Sequence, residues 1–151
     1  RSQKGTLEFS DYGFNFRLSE LQAVMGRKQL MSLDEIIKGR NETRDIYEKI
    51  LSPYGFQAQV VSPSAFHNSQ SVVFTVPGHI DRDDLIAKLK MQSIETTIGT
   101  YCQSNLPYFR NKYCAIQPNS KRLQETTITL PCYETVPTER ICQEILSLTR
   151  S

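Results

Sequence analysis

The sequence lacks the residue patterns that mark several common kinds of site. It contains no G-x-S-x-G, P-loop or G-x-G-x-x-G motif, so the usual signatures of a hydrolase nucleophile and of a phosphate-binding loop are absent. Its two histidines, His67 and His79, stand at no metal-ligand spacing with other donors. We therefore interpret each histidine as an ordinary surface or core residue.

Long apolar runs and a strong net charge are also missing. No apolar stretch approaches the roughly 20 residues that span a bilayer, which argues against a membrane helix. A net charge of +2, with basic residues dispersed among acids, argues against nucleic-acid binding. The cysteines form no C-x-x-C pair, and we expect reduced, mostly half-buried thiols in a cytoplasmic protein. They are Cys102, Cys114, Cys132 and Cys142.

What is present is the composition of an ordinary soluble domain. The 151 residues are 38% hydrophobic and 23% charged, and a domain of that size buries roughly 70% of its unfolded-chain surface. Residues 1–17 show no sustained period and are read as an irregular lead-in. Ser19 and Gln22 form a capping-box pattern ahead of a first helix, and Ser32 and Glu35 repeat the pattern ahead of a longer one. The stretch 52–55 contains Pro and Gly and should end that second helix.

The second half of the chain alternates strand and helix patterns. Segments 57–62, 70–76, 94–98 and 127–130 are read as strands, and segments 81–91, 120–125 and 137–148 as helices. The stretch 101–109 is read as a polar, aromatic-rich loop. This order predicts an α+β fold in which helices cover one face of a small, largely antiparallel sheet.

One segment carries a pattern that favours a ligand. Asn15 and Arg17 stand two apart, just before the first capped helix, where polar groups and a helix N-terminus favour an anion such as phosphate. Local capping and turn hydrogen bonds explain the same residues equally well. Spacing alone does not decide between the two.

The block from Asn15 to Ala23, continuing through Gly26, 29–30, 33–37 and Arg40, resembles the DegT/DnrJ/StrS family of sugar aminotransferases, which have the type I aminotransferase fold. Shorter matches follow in the family's order, so that the resemblance covers essentially the whole chain. These matches are 70–73, 82–86, 94–101, 106–110 and 129–131 with the closing helix.

The resemblance implies a pyridoxal-phosphate (PLP) enzyme whose Schiff-base lysine lies upstream of Asn15. No lysine of this chain stands in a matching motif, so we expect the C-terminal part of such an enzyme, inactive alone and without covalently bound PLP. Asn15 matches the asparagine that reaches across a homodimer to the neighbouring subunit's PLP phosphate. Arg17 matches a position on the substrate or phosphate side of that site, and Gln70 and Tyr101 should lie near the sugar-nucleotide entrance.

The same resemblance divides the chain and leaves alternatives open. Residues 1–31 would be the lead-in and interface helix of the cofactor and dimer region, and residues 32–151 the C-terminal small domain, joined by the long second helix. The expected substrates are a nucleotide-linked keto-sugar and an amino-acid donor. Ser104 stands where relatives often carry histidine, and 67–68 where many carry an aromatic residue; both departures concern the sugar rather than the family.

Two alternatives remain at this stage. One is a PLP- or pyridoxamine-phosphate-dependent sugar dehydratase of the same family, in which the lysine is replaced. The other is a complete, non-catalytic dimerising or regulatory protein. That protein would show no exposed apolar patch on the helix at 19–31, whereas a C-terminal part of an enzyme would show one.

Overall fold

The computed structural model describes residues 13–14, 16–113 and 115–149. Contacts divide the chain into two compact units, with the division between Leu33 and Asp34. The helices are α1 (Glu20–Leu30), α2 (Leu33–Leu51), α3 (Arg82–Met91), α4 (Pro107–Tyr113), α5 (Pro118–Thr126) and α6 (Thr138–Thr149), and the strands are β1 (Gln57–Ala58), β2 (Val72–Thr75), β3 (Thr97–Ile98) and β4 (Thr127–Leu130). No helix in these described ranges has the length and apolarity to cross a membrane.

Helix α1 begins with the predicted capping box. The Gln22 backbone N–H donates to Ser19 Oγ at 3.3 Å, and the Ser19 N–H donates to Gln22 Oε1 at 3.1 Å. Two donors at the helix start are thereby satisfied. None of the residues of α1 is buried. Its apolar side chains are 62–72% exposed, and they are Leu21, Val24, Met25 and Leu30.

Helix α2 packs on the sheet through one stripe and ends where the sequence predicts. Thr43, Tyr47 and Leu51 are its buried residues, and their spacing of four places them on one helical face. A short 3₁₀ turn, Ser52–Tyr54, follows, and Gly55 then adopts φ +89°. Glycine tolerates this left-handed conformation without a steric penalty, so the chain can turn sharply into β1.

The four described strands form one antiparallel sheet in the order β1-β2-β4-β3. Val72 pairs with Leu130 and Thr75 with Thr127 in the central pair, while Ile98 pairs with Ile128 at the β3 side. The predicted α+β fold with an antiparallel sheet is therefore confirmed.

The core lies on one face of this sheet. Inward positions alternate along the central strands, as they must in a pleated strand: Val72, Phe74, Ile128 and Leu130 are all buried. The Tyr47 ring meets Phe74 edge-on at 6.4 Å between centroids. Helices α2, α3 and α6 supply the other side of the core, chiefly through Tyr47, Leu51, Leu85, Leu89, Ile141, Cys142, Ile145 and Leu146.

Helix α3 is fixed at its first residues by polar contacts. The Asp81 carboxylate accepts from the backbone N–H groups of Asp83 and Asp84, both at 2.9 Å, so Asp81 is the N-cap of this helix. Arg82 is buried, and its Nη1 donates to the carbonyl oxygens of Gln124 at 2.7 Å and Thr127 at 2.6 Å. The Gln124 carbonyl lies in the last turn of α5, where helical carbonyls lack intrahelical partners. The Thr127 carbonyl lies at the start of β4 and also accepts from the Gly99 N–H at 3.0 Å.

Three predicted segments differ from the structure. The strand predicted at 57–62 is only Gln57–Ala58 in the structure. Val60 is 93% exposed, and a residue with strand propensity forms no strand unless a neighbouring strand pairs with it. The strand at 94–98 starts only at Thr97, because the Ile94 N–H bonds back to the Leu89 carbonyl and closes the end of α3. The stretch 101–109, predicted as a loop, contains a 3₁₀ turn (Gln103–Asn105) and the start of α4, whose first residue is a proline.

Candidate functional site

The two residues predicted to approach a cofactor belong to the first unit. Asn15 lies outside the described residues, so its contact with a cofactor phosphate stays a prediction. Arg17 is exposed and stands two residues before the Ser19 cap of α1. Phe16 is 90% exposed, with its ring 5.6 Å from that of Phe14. The polar and aromatic groups of this segment are thus accessible to a ligand or subunit outside the unit.

Tyr101, predicted near the substrate entrance, lines a cavity with a volume of ≈ 620 Å³. Two aromatic rings and four uncharged polar side chains contribute to its lining: Tyr101, Phe109, Gln103, Ser104, Gln117 and Ser120. Tyr101 itself is 65% exposed, so its ring stands at the open side. A cavity of this size is within the range that holds small-molecule ligands.

Hydrogen bonds beneath this cavity hold its walls in place. The Gln117 N–H donates to Ser104 Oγ at 2.9 Å, which joins the 3₁₀ turn to the start of α5. The Cys102 N–H donates to Gln124 Oε1 at 2.6 Å, and Cys102 Sγ lies 3.2 Å from Ser104 Oγ. Cys102 has 0% exposure. Ser104 is therefore held in position by its contacts with the buried Cys102 and with Gln117. In the sequence this serine was notable only because relatives often carry a histidine there.

The chemistry of the lining favours binding over proton transfer. The described side chains that line the Tyr101 cavity are amides, hydroxyls, aromatic rings and the Ala115 methyl group, with no carboxylate, amine or guanidinium among them. Amides and hydroxyls donate to and accept from sugar hydroxyls or a base, and aromatic rings stack on planar or apolar faces. An uncharged polar ligand portion suits this cavity better than a phosphate does.

The two predicted substrate residues of the second unit leave the sheet at opposite ends. β2 and β3 both run antiparallel to β4, so they are parallel to each other. Gln70 precedes the start of β2, where the strand pairs with Leu130 at the end of β4. Tyr101 follows the end of β3, which pairs with Ile128 nearer the start of β4. The sheet therefore does not bring Gln70 and Tyr101 together, and a single ligand touching both would have to extend along it.

Comparison with known proteins decides the family. The model of the "DegT/DnrJ/EryC1/StrS aminotransferase family" matches residues 1–148. The chain belongs to this aminotransferase family. GDP-perosamine synthase of Escherichia coli O157:H7 is 28% identical over 136 residues, which make up 88% of this chain and 37% of that protein. GDP-perosamine synthase of Vibrio cholerae is 28% identical over 100 residues, 65% of this chain and 27% of that protein.

Two solved structures share the fold. Helicobacter pylori PseC, an aminotransferase of pseudoaminic acid biosynthesis, superposes with a TM-score of 0.81 at 16% identity over 97% of this chain and 42% of that one. S. venezuelae DesV gives a TM-score of 0.79 at 19% identity over 100% of this chain and 41% of that one. This family member thus spans about two fifths of the length of the relatives that it matches.

The lysines of this family member do not resemble a cofactor-binding lysine. Every lysine from Lys28 to Lys121 that the structure describes has an exposed side chain. Lys88 is held in an ion pair with Asp84 at 2.7 Å. A Schiff-base lysine needs an amine that is desolvated or placed beside an activating group in a closed site. The described residues therefore do not by themselves fit covalent PLP.

The two histidines have local or exposed positions in the structure. His67 Nδ1 lies 3.0 Å from both the Ser69 backbone nitrogen and Ser69 Oγ, so the ring makes hydrogen-bonding contacts within the turn at residues 67–69. His79 is exposed beside α3 and lines a cavity of only ≈ 140 Å³. Among the described residues no three His, Cys, Asp or Glu side chains converge on a possible metal position.

The three cysteines that the structure describes, Cys102, Cys132 and Cys142, are free thiols. Cys102 and Cys142 are fully buried rather than half-buried as expected, because both face packed interior. Burial raises the pKa of Cys142 to about 11, with a smaller contribution from the Glu139 carboxylate. Burial also raises the pKa of Cys132, against a lowering by Arg40. These two thiols are suited to packing rather than to nucleophilic chemistry.

Sequence reasoning missed two features of the second unit. Ser104, Gln117 and Ser120 line the Tyr101 cavity, but they are 16 residues apart at most and form no motif of known spacing. Asn41 lies on α2, half-buried, and bonds to the turn that precedes β2. An asparagine inside a helix was the one available signal, because its side chain competes with helical hydrogen bonds unless it has a partner elsewhere.

Proposed function

We propose that this chain is the C-terminal portion of a PLP-dependent aminotransferase that acts on a nucleotide-linked keto-sugar. The observation that carries the proposal is the family match over residues 1–148 together with a coverage of only 37% of a full-length relative. Relatives carry names such as GDP-perosamine synthase, and one related structure, DesI, was solved with its TDP-sugar product. Those names support a nucleotide-linked sugar as the substrate class.

The exposed apolar residues of the first unit support a role as part of a larger enzyme. Eight large apolar side chains in the described part of residues 13–31 are more than 60% exposed: Phe14, Phe16, Leu18, Leu21, Val24, Met25, Leu30 and Met31. Such a cluster favours association with other protein surface. A complete, non-catalytic protein would be expected to cover it. We propose that the remainder of the enzyme and a second subunit of a cytoplasmic homodimer do so.

Within that enzyme, the residues of this chain would bind and orient rather than form the covalent site. PLP, when bound by the complete enzyme, supplies the electron sink that amino-group transfer requires. Asn15 would donate its amide to the cofactor phosphate of the neighbouring subunit, and Arg17 would attract anionic substrate groups. Tyr101 and its cavity would hold an uncharged part of the sugar nucleotide, and Gln70 would contact the substrate from the opposite end of the sheet.

The cofactor assignment is tested by trapping. The chain and the complete enzyme are each mixed with pyridoxal phosphate, reduced with borohydride, and mapped by peptide mass. We expect one stoichiometric lysine in the complete enzyme, upstream of Arg1, and no saturable site in this chain. A single lysine of this chain that is labelled stoichiometrically and protected by substrate would overturn the proposal.

The reaction itself is tested by product analysis. The complete enzyme, a nucleotide-linked keto-sugar and glutamate or glutamine should yield a nucleotide-linked amino sugar. Formation of a deoxy sugar without amino transfer would instead identify the dehydratase, and neither product would favour a regulatory protein. Tyr101→Ala should raise the KM for the sugar nucleotide, whereas Tyr133→Ala, which removes a tyrosine of similar 55% exposure outside the Tyr101 cavity, should not.

A further inference from the structure

The turn just before β2 contains a buried residue in an unusual conformation. Ser69 has 0% exposure and φ +46°, in the left-handed region that favours glycine. A serine held there is strained relative to extended or helical backbone, so other contacts must stabilise it. Its position matters because the next residue is Gln70, whose direction depends on the Ser69 backbone.

Asn41 of α2 supplies two of those contacts. Ser69 Oγ donates to Asn41 Oδ1 at 2.6 Å, and Asn41 Nδ2 donates to the His67 carbonyl oxygen at 3.1 Å. The Asn41 side-chain amide thus accepts a hydrogen bond from Ser69 and donates one to His67, so it contacts the turn at two residues. The amide is half-buried, where hydrogen bonds are less weakened by competition with water.

The remaining polar groups of Ser69 are also satisfied. Its N–H donates to His67 Nδ1 at 3.0 Å, which requires that nitrogen to be unprotonated, because a backbone N–H only donates. Its carbonyl oxygen lies 3.7 Å from Cys132 Sγ, a weak donor two residues after β4 that also lies 3.9 Å from the Arg40 carbonyl oxygen. The turn is therefore fixed to α2 by Asn41, with a weaker contact from Cys132, and it leaves the Gln70 side chain exposed.

We propose that Asn41 is a positioning residue for substrate binding: it holds Ser69 in its left-handed conformation and so sets where Gln70 meets the sugar nucleotide. The inference rests on the proposed function, which gives Gln70 its substrate contact. The Gln70 N–H is further fixed by Asn68 Oδ1 at 3.2 Å, so the backbone on both sides of Ser69 is constrained. Asn41 itself need not touch the substrate.

The test uses a rescue in the complete enzyme. Asn41→Ala should raise the KM for the sugar nucleotide about tenfold, the equivalent of one or two lost hydrogen bonds, with kcat and the KM for the amino donor nearly unchanged. Adding Ser69→Gly to Asn41→Ala should restore most of that KM, because glycine adopts φ > 0 without support. Asn119→Ala, on the exposed start of α5, serves as the matched control and should change nothing.

Two further measurements separate the possible failures. Gln70→Ala should raise the same KM, and its effect should not add to that of Asn41→Ala. Hydrogen exchange at residues 68–71 should quicken in Asn41→Ala and slow again in the double variant. An active enzyme whose sugar KM is unchanged by Asn41→Ala, or not rescued by Ser69→Gly, would overturn this inference alone. A wild-type enzyme that forms no amino sugar would overturn the proposed function and the inference with it.

Discussion

The hydroxyl of Tyr47 donates a hydrogen bond of 3.1 Å to the carbonyl oxygen of Pro131, and so joins the C-terminal part of α2 to the residue that follows β4, across 84 residues of chain. Tyr47 has 0% exposure, and burial raises its pKa well above the ordinary value. The phenol is thus kept protonated and able to donate. The Tyr47 ring belongs to the core, while its hydroxyl donates to the Pro131 carbonyl oxygen, which lies just past the last paired residue of β4.

Tyr47→Phe should therefore lower the free energy of unfolding by about 1–2 kcal/mol, because the ring stays packed while the Pro131 carbonyl loses its donor. Urea unfolding followed by circular dichroism measures this change. Tyr108→Phe is the matched control, since Tyr108 is 68% exposed, and it should be neutral. Equal midpoints for Tyr47→Phe and wild type would show that water replaces the phenol at no cost.

Arg82 offers a second stability test at the start of α3. Its buried guanidinium bonds to two carbonyl oxygens and to Asp83 Oδ1, the last at 2.7 Å. Arg82→Met should cost about 2–4 kcal/mol, because the Gln124 and Thr127 carbonyls lose a charged donor. Arg82→Lys should recover only part of that loss, since one ammonium cannot reproduce the planar fork. Full recovery by lysine would show that charge alone matters there.

Gly99 tests how closely the sheet packs at the end of β3. A methyl group at Gly99 would overlap the Thr127 hydroxyl and approach Thr127 Cβ and Val73 Cγ1 within 2.6 Å. Gly99→Ala should therefore destabilise the chain by about 1–3 kcal/mol through overpacking. Gly39→Ala in α2 is the control with the opposite expected sign, because a methyl group there meets no described atom within 4 Å. The higher helix propensity of alanine should raise the free energy of unfolding by up to about 1 kcal/mol. Thermal unfolding of both variants checks the two signs.

The elements that the sequence predicted best are those specified by local chemistry. The capping box of Ser19 and Gln22 and the helix end at 52–55 each act on the backbone within a few residues, and the structure shows both. Strand ends were predicted less well, because a strand ends where its partner ends. Valine and isoleucine are both enriched in strands, yet Val60 faces solvent and Ile94 completes the turn at the end of α3.

The candidate site was predictable only through resemblance. Tyr101 was expected near a substrate entrance, but Ser104, Gln117 and Ser120 reach its cavity through the fold of a 3₁₀ turn against α5, which no spacing rule encodes. The bond from Asn41 to Ser69 joins residues 28 apart. Such a pair depends on how α2 lies against the sheet, and that arrangement follows from the packing of Tyr47 and Leu51 rather than from local sequence.

Alkaline pH provides a test of the buried thiol on α6. Cys142 has an ordinary pKa of 9.0, which burial raises to about 11 in the folded chain. Below about pH 9 the thiol is neutral in both states, and its packing contributes fully to stability. Between about pH 9 and 11 the unfolded chain loses the proton while the folded chain keeps it. The free energy of unfolding must therefore fall as pH rises, by at most about 1.4 kcal/mol per pH unit from this group.

Urea midpoints at pH 8, 9.5 and 10.5 for wild type and Cys142→Ala measure that contribution. The variant should be less stable at pH 8, because it leaves a cavity in the core. The difference between the two proteins should then shrink as pH rises, because only wild type carries the thiol that the unfolded state ionises. Cys132 remains in both proteins. Tyr47 also remains, and because its own burial is the largest cause of its raised pKa, it keeps its proton in the folded state of both proteins over this pH range. Parallel curves across this pH range would mean that Cys142 opens to solvent before the chain unfolds, contrary to its position between α6 and the sheet.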